Sequence, residues 1–402
     1  MLFPKSDRDA VIVAACRTPI GKVSKGGGAL HAVRPEDLGA QVLGELFRRL
    51  PALRVGDIED VIFGCAVPER EQGMNIGRNI PLRAGLPNSV PGITVSRFCA
   101  SGLEAIRDGA CRIRAGLAET IIAGGVESMS MLMPTLLPML SPAQQSPEHT
   151  QRLHPRLLRD TQVFITTMGG AEVLRKAYHI PRKEQDIFAI ESHRKAVAAQ
   201  DAGRFADEIV PVKDSEGKIL LQADDGPRRD STLEKLETLN PVVKEYGCTV
   251  TAGNASQTSD GAAAVALMSR ARAAELGVKP MARFVDYTIA GVAPEYFGIG
   301  PFDAIRAITR RTGLSLGDIG LVELNEAFAA QVLAVLRCIY IDRDKLNVNG
   351  GAIALGHPLG CTGARIAATL IYEMRRRGVE FGLETMCIGG GMGAAALFQL
   401  ED

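Results

Sequence analysis

The sequence predicts an α/β protein built from two similar halves. Three observations predict it. First, short apolar runs that read as buried strands alternate with segments whose apolar residues recur at helical spacing. Second, Val55-Gly56-Asp57-Ile58-Glu59-Asp60-Val61 is repeated by Leu316-Gly317-Asp318-Ile319-Gly320-Leu321-Val322, at an offset of 317 − 56 = 261. Gly102, after Cys99, and Gly363, after Cys361, share that offset (363 − 102 = 261). Third, each half closes on an apolar strand ending in Gly-Gly, at Gly124-Gly125 and Gly389-Gly390, with an offset of 389 − 124 = 265. Three matches in order imply two halves of one fold. Stacked face to face, such halves bring equivalent turns to a shared cleft.

The elements follow from local pattern. Val11 to Ala15 is an apolar strand, and Arg17-Thr18-Pro19-Ile20-Gly21 turns the chain. Pro35 to Arg49 reads as a helix with Leu38, Val42, Leu43 and Leu46 inward. Asp60 to Gly64 is a strand, and Asn75 to Ala84 is helical. Ile93 to Phe98 follows Pro91-Gly92 and reads as a buried strand. A helix then buries Leu103, Ile106, Ala110, Ile113 and Leu117. Thr120 to Val126 is a further buried strand. After Met129 the texture changes, with Pro134, Pro138, Pro142, Pro147 and Pro155 in quick succession. Helices are expected near Ala171 to Tyr178 and Lys183 to Ala202, and a polar strand region over Ile209 to Leu221. The expected division is a first half of 1–129 plus 251–280, an inserted loop subdomain of 130–250 lying over it, and a second half of 281–402. The insertion is either a lid with a binding surface or a passive decoration.

Composition narrows the function. A chain of 402 residues exceeds one ordinary core. Lys+Arg and Asp+Glu both number 46 and are scattered, which argues against nucleic-acid binding. No apolar run approaches the ~20 residues of a membrane span, and the first residues lack the apolar core of a signal peptide. Eight cysteines without a C-x-x-C pair suggest neither a disulfide framework nor a zinc ribbon. A cytoplasmic location fits best.

Three thiols and one imidazole stand out. Cys99 sits where the strand meets the helix, near free N–H groups and the positive end of the helix dipole, a setting that favours a thiolate. Ala100, Ser101 and Gly102 beside it are small. The alternative is a buried cysteine at a turn, which is common. His357 lies in Asn347-Val348-Asn349-Gly350-Gly351-Ala352-Ile353-Ala354-Leu355-Gly356-His357-Pro358-Leu359-Gly360, ahead of a helix starting near Thr362. It is either a surface residue or the base a cysteine nucleophile needs. Cys387 precedes Ile388-Gly389-Gly390-Gly391, glycines that free N–H groups as oxyanion donors beside an exposed thiol. Its alternative is a core cysteine. Cys361 falls inside a helix start and reads as structural, and Cys16, Cys65, Cys111, Cys248 and Cys338 lack a comparable setting. Asn325 either caps a helix or aims its amide at the cleft. Thr251 to Ser256 is a small-residue turn, expected before a helix, that suits close approach by a ligand.

Taken together, these stretches resemble the thiolase family over nearly the whole chain. The resemblance rests on Arg17-Thr18-Pro19-Ile20-Gly21, FCASGLEAI (98–106), GGVESMS (124–130), TAGNAS (251–256), Asn325-Glu326-Ala327-Phe328, NVNGGAIALGHPLG (347–360) and CIGGGMG (387–393). Gly64 to Pro87 and Gln257-Thr258-Ser259-Asp260 look more like the degradative 3-ketoacyl-CoA members than the biosynthetic acetoacetyl-CoA type. What the resemblance implies is a layered α-β-α-β-α fold and acyl transfer between coenzyme A thioesters. Coenzyme A is then co-substrate, with no permanently bound cofactor and no metal. It gives Cys99 as nucleophile, His357 as its base, and Cys387 as the acid–base for the acetyl-CoA enolate and for the CoA thiol. N–H groups of Cys99 and Gly389 would hold the acyl oxyanion, and His357 with a water fixed by Asn325 the enolate oxygen. Ser256 matches a position near the pantetheine arm and Arg228 one near the CoA nucleotide. Phe328 lies beside the acyl path, and Met168 and Ala327 belong to the same substrate set. It also implies a homodimer or homotetramer, with association to other β-oxidation enzymes as a further expectation. Two departures affect substrate choice: Ser96 stands where the family usually has Asn, and Met168-Gly169-Gly170-Ala171-Glu172 is one residue short of the family's loop. Two other readings stand beside this one, a biosynthetic acetoacetyl-CoA enzyme with the same residues and a non-catalytic lipid carrier, the latter disfavoured by Cys99, His357, Asn325 and Cys387 together.

Overall fold

A computed structural model describes residues 3–24, 27–133, 154–160 (of 158–160 the backbone only), 162, 165–242 and 249–401. The prolines at 134, 138, 142 and 147, and Cys248, lie outside that range. The first half runs β1 (Ala10–Arg17), β2 (Gly21–Lys22), α1 (Pro35–Arg49), β3 (Asp60–Gly64), α2 (Ile76–Arg83), β4 (Ile93–Val95), α3 (Ser101–Arg114) and β5 (Thr120–Ser128). Next come α4 (Pro155–Asp160), α5 (Thr167–Ala177), α6 (Arg182–Asp201), β6 (Val212–Lys213), β7 (Ile219–Leu221) and α7 (Leu233–Glu237). The chain then forms β8 (Ser259–Ser269), α8 (Arg270–Glu275), β9 (Ala282–Gly291), α9 (Gly300–Thr312), β10 (Leu321–Leu324) and α10 (Ala329–Cys338). It ends in α11 (Ala352–Leu355), α12 (Leu359–Arg377), β11 (Phe381–Ile388) and β12 (Met392–Leu400).

Among the described residues the main sheet has the order β10-β11-β12-β9-β1-β8-β5-β3-β4, with β2 on β8. The order is the internal repeat made visible. In each half a parallel pair (β3 with β5, β10 with β11) adjoins an antiparallel strand (β8, β12), which adjoins β1 or β9. The halves join where β1 meets β9, over Val11↔Arg283 and Ile12↔Ala282.

Side-chain alternation makes the layers. On β8, Ala263, Val265 and Leu267 face the inner core, while Ala264, Ala266 and Met268 face outward under α1. The strand is buried on both faces, so it reads as a continuous apolar run rather than an alternating one. The inner core is filled by α3 and α12. The outer cores hold α1 with α2, and α9 with α10. The result is α-β-α-β-α.

The repeated glycines are explained by the crossing of α3 and α12. A Cβ on Gly102 would lie 2.8 Å from the Ala364 nitrogen, and one on Gly363 would lie 2.3 Å from the Leu103 nitrogen. The turns also need such clearance: a Cβ on Gly125 would meet the Gly360 oxygen at 2.0 Å. Gly125→Ala is therefore expected to destabilise the fold by about 1–3 kcal/mol, as overpacking of backbone against backbone does. Urea unfolding of the variant measures it, and a midpoint unchanged from the starting protein would contradict the packing.

Several expectations need correction. Ile93 to Phe98 is not a buried strand. Only Ile93–Val95 is strand, at the sheet edge, and Phe98 is 46% exposed. An edge strand has one neighbour, so its outer side stays open. Leu117 lies beyond α3 and is exposed. The turn Thr251 to Ser256 leads into β8, not into a helix, because the alanine run after it is a two-faced strand. Among the described helices of the 130–250 region, α5 and α6 lie over the second half, not the first. Leu174, Ile180, Phe188 and Ala189, of α5, α6 and the link between them, pack into the outer core of the second. Among the described residues of the region, Val212 on β6 and its neighbours join the first-half core.

Candidate active site

Cys99 lies in a single helical turn, Phe98–Ala100, between β4 and α3. Phe98 before it has φ 45, a left-handed conformation that is costly outside glycine. The kink turns the chain inward, and Cys99 ends 7% exposed. Burial raises the thiol to about 11, although hydrogen bonds from the N–H groups of Gly389 and of Cys99 itself pull the other way. The dipole argument for a resting thiolate is thus overturned: desolvation outweighs it.

Cys387 lies one residue before the end of β11, close enough to Cys99 that the Cys99 thiol opposes its ionisation. It is not the exposed thiol expected from its glycines. It is wholly buried, in an apolar cluster with Ala171, Val250, Phe297, Ala327 and Phe328, against which Met168 and Ala255 pack. Burial pushes its thiol well above the ordinary range. Gly390 (φ 81) and Gly391 (φ 87) carry the turn that brings the Gly389 N–H back to Cys99.

His357 is 5% exposed, and so is no surface residue. Its Nδ1 lies 2.7 Å from the Thr362 hydroxyl, which donates to the Pro358 carbonyl at 2.9 Å. With its proton so engaged, the hydroxyl accepts, so Nδ1 carries the imidazole proton and Nε2 has a free lone pair. Burial lowers the ring to about 3, with Arg365 adding to the effect. The Asn325 amide nitrogen lies 3.4 Å from Nε2, and its buried Oδ1 has no partner among the described residues. Asn325 does not cap α10, which starts four residues later.

The remaining candidates surround this centre. Ser256 donates its N–H to the Ala327 carbonyl at 2.9 Å, and Ala255 bridges to Phe328. Gln257 ties three segments together. Its amide donates to Gly226, Ile353 and Ala354, and its carbonyl accepts from the His357 N–H. That places the exposed Arg228 segment against the His357 loop. Met168 lies in the first turn of α5, not in a loop, with Thr166 as the N-cap. Cys361 is buried within α12. Ser96 donates to the Ala66 carbonyl at 3.0 Å.

Sequence reasoning missed Thr362 and Glu127. Glu127 is fully buried and accepts from the N–H groups of Ala66 and Gly360 and from Gln72, fixing the turn after His357. A glutamate inside the strand Thr120–Ser128 was the available signal. A cavity of about 800 Å³ opens near the other end of α12, lined by Arg48, Arg49, Tyr372, Arg375 and Arg376 among others, and includes none of the site residues.

Comparison with known families agrees with this constellation. Residues 10–271 match the description "Thiolase, N-terminal domain" and residues 278–400 "Thiolase, C-terminal domain". The chain belongs to the thiolase family. It is 48% identical to a 3-ketoacyl-CoA thiolase of Bacillus subtilis, over 98% of this chain and 100% of that one. It is 43% identical to a 3-ketoacyl-CoA thiolase of Photorhabdus laumondii, again over 98% of this chain and 100% of that one. Among solved structures, the dimeric peroxisomal thiolase of Saccharomyces cerevisiae superposes with TM-score 0.88 at 40% identity, covering 100% of this chain and 99% of that one. The Bacillus anthracis acetyl-CoA acetyltransferase does so with TM-score 0.86 at 42% identity, over 98% of each. No described helix of this thiolase is long and apolar enough to cross a membrane.

Proposed function

We propose that this thiolase is an acetyl-CoA C-acyltransferase that cleaves 3-ketoacyl-CoA with coenzyme A, as in fatty-acid β-oxidation. The observation that carries the reading is that the turn holding Cys99 packs against the end of β11 that holds Cys387, with the Gly389 N–H near the Cys99 sulfur. Cys99 attacks the 3-keto carbon and its proton goes to Nε2 of His357. The bond between C2 and C3 then breaks, leaving an acyl group on Cys99 and an acetyl-CoA enolate. Cys387 protonates the enolate carbon. The Cys387 thiolate next takes the proton of an incoming CoA thiol, whose sulfur displaces Cys99 from the acyl carbon, and His357 returns its proton to the departing Cys99 sulfur. N–H groups of Cys99 and Gly389 hold the first oxyanion, and His357 with an Asn325-bound water the second. The unpartnered Oδ1 of Asn325 supports that water.

Ser256 and Arg228 serve the CoA arm and nucleotide, and Met168, Ala327 and Phe328 the acyl group. The proposed division is two halves, 1–129 plus 251–280 and 281–402, with 130–250 as the substrate-binding insertion. The enzyme works as a cytoplasmic homodimer or homotetramer, beside other β-oxidation enzymes.

A second reading, acetyl-CoA C-acetyltransferase, uses the same residues. It is favoured by Phe297, which sits on Gly170 and edge-on to Phe328 in the apolar cluster around Cys387 and narrows the space beside that thiol. Turnover of short, long and branched 3-ketoacyl-CoAs with free CoA separates the two. Thiolysis of long chains supports the first reading, and activity confined to acetoacetyl-CoA the second.

A further inference from the structure

The loop that leads to His357 is held by a side chain the reaction does not use. The loop contains α11, whose carbonyls at Ile353 and Ala354 accept from the side-chain amide of Gln257, both at 3.1 Å. The same amide donates to the Gly226 carbonyl at 3.0 Å. The backbone carbonyl of Gln257 accepts from the His357 N–H, also at 3.1 Å. One residue thus bonds to the short helix, to the histidine just after it, and to a segment of the insertion.

That segment packs directly on α11. Gly226 is buried, and a Cβ on it would overlap the Ala354 carbonyl oxygen. Two residues on, Arg228 is exposed, and its N–H donates to Nδ1 of His193 on α6 at 3.1 Å. The residue before His193 is Ser192, whose hydroxyl accepts from the Gly351 N–H at 3.1 Å, at the start of α11. The Arg228 segment is therefore tied to the His357 loop twice, through Gln257 and through α6. Three carbonyls share the two hydrogens of the Gln257 amide, so no donor is spare. A shift of either segment breaks a bond to it.

We propose that Gln257 is a positioning residue that makes the placing of His357 depend on the nucleotide end of coenzyme A held at Arg228. It touches no reacting atom and acts through the carbonyls of α11. Contacts remote from the reacting carbon are then used to orient the group that takes the Cys99 proton. The inference rests on reading Arg228 as the nucleotide contact and His357 as the base.

The test compares acylation of Cys99 by acetyl-CoA and by acetyl-pantetheine, which lacks the nucleotide. Each thioester is used at saturation, and intact-protein mass is followed in time. In the starting protein the limiting rate with acetyl-CoA should be about tenfold the higher, within the usual span for coupled sites. Gln257→Leu keeps the bulk and removes the amide, and should bring the two rates within about twofold of each other. An amide that only supports the fold would slow both thioesters alike, and a ratio kept in Gln257→Leu overturns the proposal. Equal rates in the starting protein overturn it too. Should Gln257→Leu not fold, Gly226→Ala lifts the segment off α11 with the amide still present. It should lose the ratio as well, and a kept ratio there overturns the proposal. Arg228→Ala tests the underlying reading. It should raise half-saturation by acetyl-CoA about tenfold, as loss of a charge-assisted bond does, and leave acetyl-pantetheine unchanged. No change with acetyl-CoA removes Arg228 as the nucleotide contact, and unaltered acylation of His357→Asn removes His357 as base; either takes the proposal with it. A raised half-saturation in Arg228→Ala beside a kept ratio in Gln257→Leu overturns the coupling alone.

Discussion

Cys99→Ser should form no acyl adduct with acetyl-CoA, and its thiolysis should fall by on the order of 10²-fold or more. The argument starts from the resting charge state. Burial holds the thiol at about 11 and the imidazole at about 3. The proton transfer from Cys99 to His357 is uphill by about 8 pKa units (11 − 3), on the order of 10 kcal/mol before the attraction of the ion pair is counted. The transfer is therefore tied to sulfur–carbon bond formation, and it is feasible because sulfur is a strong nucleophile even when little of it is thiolate. A hydroxyl is a much weaker acid than a thiol, so serine widens the gap. The N–H groups of Gly389 and Cys99 would still be in place, so the lesion falls on attack and not on the oxyanion site. Intact-protein mass after incubation with acetyl-CoA, followed by digestion, reads the result. An adduct on Cys361 or Cys387 with Cys99 free in the starting protein, or an acyl adduct retained by Cys99→Ser, would overturn Cys99 as the nucleophile.

Much of the fold was legible because its signals are local. Pro35–Arg49 and Asp60–Gly64 have the limits read from apolar spacing alone. The repeat at Gly102 and Gly363 was legible too, and the structure gives its cause: each glycine clears the other half's helix. What failed depended on neighbours the sequence does not name. β4 looked buried because it is apolar, but its place at the sheet edge is a property of the whole sheet. β8 was missed as a strand because burial on both faces erases the alternation that marks strands. α5 and α6 were assigned to the wrong half because Leu174 and Phe188 fit either apolar face until α10 is in place.

The site divides the same way. Residue types and glycine turns pointed to Cys99, His357, Cys387 and Asn325, and the fold brings Cys99 to Cys387 and His357 to Asn325. Charge state was not legible. The dipole at a helix start is a local feature, whereas desolvation depends on everything packed around the sulfur. Thr362 escaped notice because its role is to orient a residue five positions earlier, which only the turn at Pro358 reveals.

Cys387→Ser should separate the two thiols. It should keep measurable acylation of Cys99 by acetyl-CoA, lose exchange of the acetyl methyl protons with solvent, and slow thiolysis by on the order of 10²-fold. Cys387 is wholly buried among Ala171, Val250, Phe297, Ala327 and Phe328, so no bulk water stands in for it as a proton carrier. Its thiol is held protonated by that burial and by Cys99. A protonated thiol at this place is an acid for the enolate carbon, and the thiolate it leaves is a base for the CoA thiol. Serine fits the same space but is a far weaker acid and will not give up its proton to carbon. Attack by Cys99 needs only His357 and the N–H groups of Gly389 and Cys99, none of which the substitution touches. The partial reactions therefore diverge, where a merely structural thiol would lower stability and spare the ratio between them. Near-normal thiolysis of a 3-ketoacyl-CoA by Cys387→Ser would make the second thiol structural and sink the two-cysteine mechanism.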